Sequence, residues 1–372
     1  MITDKRLNVK KETGEKRGDM TETDDDWFGV PQLAIVGVGG AGSNSMNRLE
    51  RLGGLEGVDR IAVNTDKLHL DSIKCSKKLL IGRALTRGLG AGGSPDIGRK
   101  AAELDKEELR AILRGKNFVF ITAGMGGGTG TGASPVVAES AKETGAIVVA
   151  MVSFPFEAER IRRKKAAEGI ERLSEVSDTV IVLENDKLIK YAGNLPVNDA
   201  FKMMDMLIAE TIQGIAETIT KPSLVNLDFA DLKAIMGEGG VAVMLVGKTS
   251  KSENRPEAVV EDALSHPLLE ANYRGAKGAL IHVTGGSDLT MKETHDIVEL
   301  LTCELDSSAN VIWGARINED YTGKARVTAI MTGVEPNWVF GGVYEEHEEV
   351  IKSRGAGVDR RWVGEVIPII RR

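Results

Sequence analysis

A chain of 372 residues is too long for one ordinary core and suits two, and 42% apolar residues in periodic segments mark it as globular. A formal net charge of −7 offers no basic footprint for nucleic acid, and no run reaches the roughly 18 uninterrupted apolar residues of a membrane span. The charged, acid-containing amino terminus has neither the apolar core of a signal peptide nor the composition of a transit peptide, so the sequence reads as cytoplasmic, without nucleic-acid partners and without direct membrane insertion.

Residues 1–30 read as a solvated, mobile tail. From residue 32, strands and helices alternate: strand 32–37, helix 42–52, strand 59–63, helix 96–113, strand 117–123, helix 133–144, strand 146–152, helix 158–174 and strand 178–184. Such alternation builds a parallel sheet covered on both faces, with ligands at the carboxyl ends of its strands. From Val197 to Ile219 the apolar residues Ala200, Met204, Leu207, Ile208, Ile215 and Ile219 recur at helical spacing, which predicts one long helix with a buried stripe, stopped by Pro222. Strand 241–247, helix 256–264, strand 278–284, helix 290–303 and strands 309–317 and 325–332 follow. The last two, joined across 318–323, read as a hairpin in a mixed second sheet. The expected fold class is therefore α/β: a Rossmann-like parallel-sheet domain (31–196), a central helix (197–221), a second α/β domain with a mixed sheet (222–335) and a tail (336–372).

Cys75 and Cys303 lie far apart and read as reduced thiols, and the five histidines show no ligand spacing, so no built-in metal site is expected.

Three glycine segments sit between strands and helices. GVGGAG (Gly37 to Gly42) satisfies G-x-G-x-x-G, with Asp59 near the spacing of a ribose-binding acid; alone it would suit a Rossmann-type NAD-dependent oxidoreductase. TRGLGAGGSP (Thr86 to Pro95) and GGGTGTG (Gly126 to Gly132) change that reading. A nicotinamide cofactor needs one phosphate turn, whereas three suit a longer, more highly charged phosphate chain. Glycines let backbone N–H groups point inward as an anion nest, helix amino termini add partial positive charge, and Thr129 and Thr131 can donate hydroxyls. The P-loop pattern is missing, since the Gly247–Lys248–Thr249 run has Ala242 where the first glycine belongs. Phosphate charge is thus left to backbone dipoles and to Mg²⁺ held mainly by phosphates and water.

GGGTGTG is the signature of the tubulin and FtsZ superfamily of GTPases. GVGGAGSN, NTD (Asn64 to Asp66), TRGLGAGGSP, FPF (Phe154 to Phe156), ENDKL (Glu184 to Leu188) and NLDFADLK (Asn226 to Lys233) resemble the FtsZ family in the same order, over roughly residues 31 to 335. The resemblance implies GTP and GDP as ligands and head-to-tail homopolymers forming a cytokinetic ring at the division site near mid-cell. It implies that Gly39, Gly40, Ala41 and Asn44 line the first phosphate loop, with Asp66 beside it, and that Ala91, Gly92 and Gly93 lie near the γ-phosphate. Gly126, Gly127, Gly128, Thr129, Gly130, Thr131 and Gly132 would cradle the α- and β-phosphates. Glu159, after Pro155, would hold the ribose; Asn185 and Asp205 would read guanine, with Phe201 stacked on it. Arg160 stands where the family has glycine, and the segment is one residue shorter, so the family's basic contact falls on Arg162 or Arg163, or both are a solvated helix face; the departure points to a divergent, archaeal branch.

Asn226, Asp228 and Asp231 match the family's catalytic loop, though an N-cap with a first-turn acid would read the same way in isolation. A central helix of ~23 residues spans about 35 Å. If Phe201 and Asp205 near its start hold the base, acids beyond its end reach a neighbour's nucleotide more readily than their own, so hydrolysis is expected in trans. A non-hydrolysing tubulin-like paralogue is the remaining alternative. The terminal WVGEVIPIIRR resembles the family's partner-binding peptide, implying a membrane-tethering division protein as partner; a frayed end or an extra strand is the other reading.

Overall fold

The computed structural model describes residues 31–51, 57–220, 229–237, 241–266, 273–334 and 369–370. In chain order, β1 (Leu33–Val38), α1 (Gly39–Arg51), β2 (Val58–Asn64), α2 (Lys67–Ser72), β3 (Lys77–Leu80) and α3 (Arg83–Thr86) come first. Then come α4 (Pro95–Leu104), α5 (Lys106–Leu113), β4 (Phe118–Gly124), α6 (Thr129–Glu143), β5 (Ile147–Phe154), α7 (Arg160–Val176), β6 (Thr179–Glu184) and α8 (Asn185–Ala192). The rest are α9 (Val197–Thr220), α10 (Phe229–Gly237), β7 (Val241–Thr249), α11 (Arg255–Leu264), β8 (Gly278–Gly285), α12 (Met291–Thr302), β9 (Asn310–Ile317), β10 (Ala325–Val334) and β11 (Ile369–Ile370).

Six strands run parallel in the order β3-β2-β1-β4-β5-β6. Every residue of β1 is buried, as expected where helices cover both faces of a central strand. On β4, Phe118 and Phe120 stack on one face with centroids 4.7 Å apart, both fully buried. The second group runs β7-β10-β8-β9, with β10 antiparallel to both neighbours and β8 parallel to β9. The mixed sheet is therefore present, but the hairpin expected across 318–323 is not: β8 lies between β9 and β10. Ala325, Val327, Ala329, Ile330 and Met331 of β10 are all buried, and an interior strand this apolar takes two partners rather than one.

Other differences have local causes. The helix expected over 96–113 breaks at Asp105, whose carboxylate accepts the Gly82 N–H. β3 escapes the sequence because its KKLL alternates nothing and forms only as an edge beside β2. α6 begins at Thr129 rather than 133, so the second half of GGGTGTG is its first turn and not a connecting loop. Ile369 and Ile370 pair with Ile181 and Val180 of β6, and Ile369 with Ala242 of β7, placing β11 between the two groups of strands. Residues 1–30 and the remainder of the 336–372 tail lie outside the described residues.

Candidate functional site

The parallel strands end in register, so every segment following a carboxyl end opens onto one edge. The chain runs outward from β1 to β2 and β3, then returns past β1 to β4, which makes the β1/β4 boundary the switch point where ligands of such sheets sit. Here α1 and α6 start side by side. Gly39 has φ +70°, and a Cβ on it would lie 2.7 Å from the backbone nitrogen of Gly130, so the two helix starts touch only because position 39 is glycine. Neither first turn contains an acid, and α6 has no side-chain cap. Two adjacent amino termini thus present unsatisfied N–H groups and like partial charges, an arrangement suited to an anion.

The glycines fall into two classes. At Gly132 a Cβ would lie 1.9 Å from the Pro95 carbonyl oxygen, and at Gly128 2.8 Å from the Ala91 Cβ; these glycines let α4, α6 and the 87–94 loop pack. At Gly92, Gly93 and Gly127 a Cβ would meet nothing within 4 Å. Gly92 and Gly93 require left-handed backbone, with φ +57° and +73°, but Gly127 has no such need. Its lack of a side chain keeps open space open at the mouth of the motif.

The polar residues around this edge are tied to one another. The Thr129 and Thr65 hydroxyls share a hydrogen bond of 2.6 Å. Thr131 is buried and its hydroxyl accepts the Gly126 N–H at 2.8 Å, holding the motif's own turn. Asp66 caps α2 by accepting the His69 N–H at 3.0 Å. The His69 ring bridges Asn44 Oδ1 at 2.9 Å and Asn64 Nδ2 at 3.2 Å, so α1 and the loop after β2 are joined through an imidazole. Gly40 and Ala41 are exposed beside it, and Ala91 is buried.

Beyond β5, Pro155 is buried, and Glu159 accepts the Phe156 N–H at 3.2 Å while pairing with Arg162. Arg163 lies 4.8 Å over the Phe154 ring and pairs with Asp186 at 3.0 Å. The cation of α7 whose charged end meets a glycine segment is Lys165, which donates to the Gly93 carbonyl at 2.7 Å. Neither Lys165 nor His69 was singled out from the sequence; both connect segments distant in the chain.

At the far side of the same edge a small pocket is walled by α1, β4, β5 and α9, with Phe201 and Asp205 among its lining residues. Phe201 meets Phe156 edge-on, with centroids 6.4 Å apart. Asn185, at the start of α8, is 9% exposed, and its Oδ1 is buried without a hydrogen-bond partner among the described residues. Asp205 is 3% exposed and pairs with Arg48 of α1. Burial pushes the Asp205 carboxyl above its ordinary value, against the opposing pull of Arg48 and the Ser45 hydroxyl. A buried acid beside an aromatic ring in one pocket suits a planar heterocycle carrying N–H groups.

Asp59, the ribose acid of the dinucleotide reading, is at the wrong place for that task. It aligns with Ala34 at the amino end of β1 and is held by Lys77 at 2.7 Å and Lys116 at 2.9 Å. Asn226 and Asp228 lie outside the described residues, and Asp231 falls on α10, whose early side chains are likewise outside them.

Comparison with known proteins agrees with this geometry. Residues 32–193 match the family model for the Tubulin/FtsZ family GTPase domain, and residues 240–335 that for the FtsZ family C-terminal domain. The chain is 58% identical to cell division protein FtsZ 2 of Methanocaldococcus jannaschii over 326 residues, covering 87% of this chain and 86% of that one. It is 55% identical to cell division protein FtsZ 2 of Halobacterium salinarum, covering 90% and 85%. An empty FtsZ dimer from M. jannaschii superposes with a TM-score of 0.75 at 46% identity, covering 82% of this chain and 88% of that one. A GTPγS-bound protofilament of CetZ2 from Haloferax volcanii, at 22% identity, shares the fold with a TM-score of 0.72. The chain belongs to the FtsZ family.

Proposed function

We propose that this chain binds GTP at the carboxyl edge of its parallel sheet, hydrolyses it to GDP and phosphate, and assembles head to tail into protofilaments of the division ring. The observation carrying this reading is the pair of helix starts at the β1/β4 switch point, neither with an acid in its first turn, flanked by open space over Gly92, Gly93 and Gly127. Gly39 to Ala41 and Gly126 to Thr129 supply N–H donors to the phosphates, Asn44 is oriented by His69, and Glu159 takes the ribose. Asn185 and Asp205 read the base and Phe201 lies against it. Among the described residues, the His, Cys, Asp and Glu group spaced to hold a metal is His295, Asp296 and Glu299, exposed on α12. Mg²⁺ is therefore assigned to phosphate oxygens and water, where it would offset phosphate charge.

The division of labour follows the chain: 31–196 holds nucleotide, 197–221 spans to the second sheet, and 222–335 supplies the acids. From Asp205, α9 continues to Thr220, about 22 Å further along its axis, and Asn226, Asp228 and Asp231 follow in the chain. Those three would complete a neighbour's site, orienting the attacking water. Heterologous contacts of this kind generate open filaments. The related M. jannaschii structure is an FtsZ dimer, and self-assembly is carried over from it. The tail peptide would dock a membrane-tethering partner, in competition with the pairing of Ile369 and Ile370 to β6. No helix among the described residues is long and apolar enough to cross a membrane.

The test is GTP added to purified protein, with pelleting and phosphate release followed together across a dilution series. Specific activity should rise steeply with protein concentration, and Asp231→Ala should bind GTP and pellet but release little phosphate. A specific rate flat across the series removes catalysis in trans; pelleting without phosphate release makes this a non-hydrolysing filament protein.

A further inference from the structure

Arg48 has no part in the reading above, and its pairing with Asp205 gives it one. The two residues are 157 positions apart, on α1 and α9, and face each other across the base pocket. Among the residues lining that pocket they are the charged ones; the polar others are Ser45 of α1, Thr122 of β4 and Ser153 of β5. Arg48 uses Nε on Asp205 Oδ2. A carboxylate has about four acceptor positions, so with Arg48 and the Ser45 hydroxyl in place about two remain for a ligand. The guanidinium and a base can therefore occupy the same acid together.

We propose that Arg48 sets base selectivity: it holds Asp205 as a carboxylate at the bottom of a pocket that would otherwise favour the neutral acid. The proposal rests on the reading that Asp205 meets the base. Guanine offers two neighbouring donors, N1–H and the 2-amino group, and a carboxylate accepts both. A neutral carboxyl accepts one and sets its own O–H against the other, so it no longer distinguishes guanine from a base lacking the 2-amino group. Burial already pushes Asp205 upward with Arg48 in place. Without that cation the opposing pull left is the Ser45 hydroxyl, and protonation moves to higher pH. The arginine side chain is 21% exposed against 4% for the acid.

The experiment displaces a fluorescent GDP from the full chain with GTP, ITP and XTP. Wild type should prefer GTP over ITP by about tenfold. As pH falls, Arg48→Gln should lose that preference, with about tenfold weaker GTP binding, at a higher pH than wild type does. The carboxylate form is present above the raised pKa and lost as pH falls through it. Arg48→Lys, retaining a cation, should behave as wild type, and urea melts report whether each variant folds. An Arg48→Gln protein with the wild-type ratio and pH profile overturns the proposal, as does an Arg48→Lys protein that behaves as Arg48→Gln. Asp205→Asn separates the two levels, because an amide presents one donor and one acceptor and should accept XTP. If it leaves the preference for GTP over XTP unchanged, Asp205 does not meet the base, and the underlying reading falls first.

Discussion

Gly127→Ala and Gly132→Ala exchange the same atom within one seven-residue motif and should fail in opposite ways. At Gly132 the new methyl lies 1.9 Å from the Pro95 carbonyl oxygen and 2.7 Å from the Arg99 backbone nitrogen. Both obstacles are α4 backbone, so α4 and α6 must part by on the order of 1.5 Å to restore ordinary contact. Overpacking that side chains can relieve costs about 1–3 kcal/mol, and an obstruction made of backbone belongs at or above the top of that range. At Gly127 the methyl meets nothing within 4 Å and the backbone is not left-handed, so stability should be unchanged or higher by about 0.5 kcal/mol through the unfolded chain. The same methyl projects where phosphate must approach, and losing one or two charge-assisted N–H contacts costs about 1.5–3 kcal/mol each, or at least tenfold in Kd. Urea unfolding without nucleotide, which avoids stabilisation by bound ligand, measures the first effect, and titration with fluorescent GDP measures the second. A Gly127→Ala protein that binds GDP as tightly as wild type would refute the phosphate-nest geometry; a Gly132→Ala protein of wild-type stability would refute the packing account of the other glycines.

Three further outcomes follow from contacts away from that turn. Arg255 is 4% exposed and joins Asp288 at 2.7 Å and Glu293 at 2.7 Å, so Arg255→Ala should destabilise the protein by about 3 kcal/mol in urea melts with nucleotide affinity retained. Burial pushes the Glu293 carboxyl up, but the Thr290 N–H and Arg255 more than reverse this, leaving it below its ordinary value. Its stabilisation is thus complete above the unfolded carboxyl range and lost as pH falls through the lower folded value, so Glu293→Gln should flatten the acid limb of the stability profile. Lys165→Ala frees the Gly93 carbonyl and should speed nucleotide release by about threefold to tenfold in stopped-flow chase experiments, with melting unchanged.

How much of this could be read from the sequence depended on whether a residue's role is local or arises across the chain. The alternation of strands and helices gave the parallel sheet because burial on both faces writes itself as continuous apolar runs, as in β1 and β5. The order of β8, β9 and β10 was misread because adjacency in sequence is a weak guide once an apolar strand can take two partners. Likewise, GGGTGTG looked like one uniform turn, yet its glycines do different work that depends on what α4 brings opposite each of them. Asp59 matched a spacing rule but sits at the end of β2 away from the glycine segments, a fact fixed by strand direction and not by residue count. Arg48 shows the limit most sharply. On α1 it reads as one more cation on a helix face, and only the packing of a helix 157 residues later makes it the partner of a buried acid. The proposed phosphate side follows from motifs, where short segments carry their own chemistry; the proposed base side is assembled from single residues on separate elements, so its electrostatics become legible only when the elements are packed together.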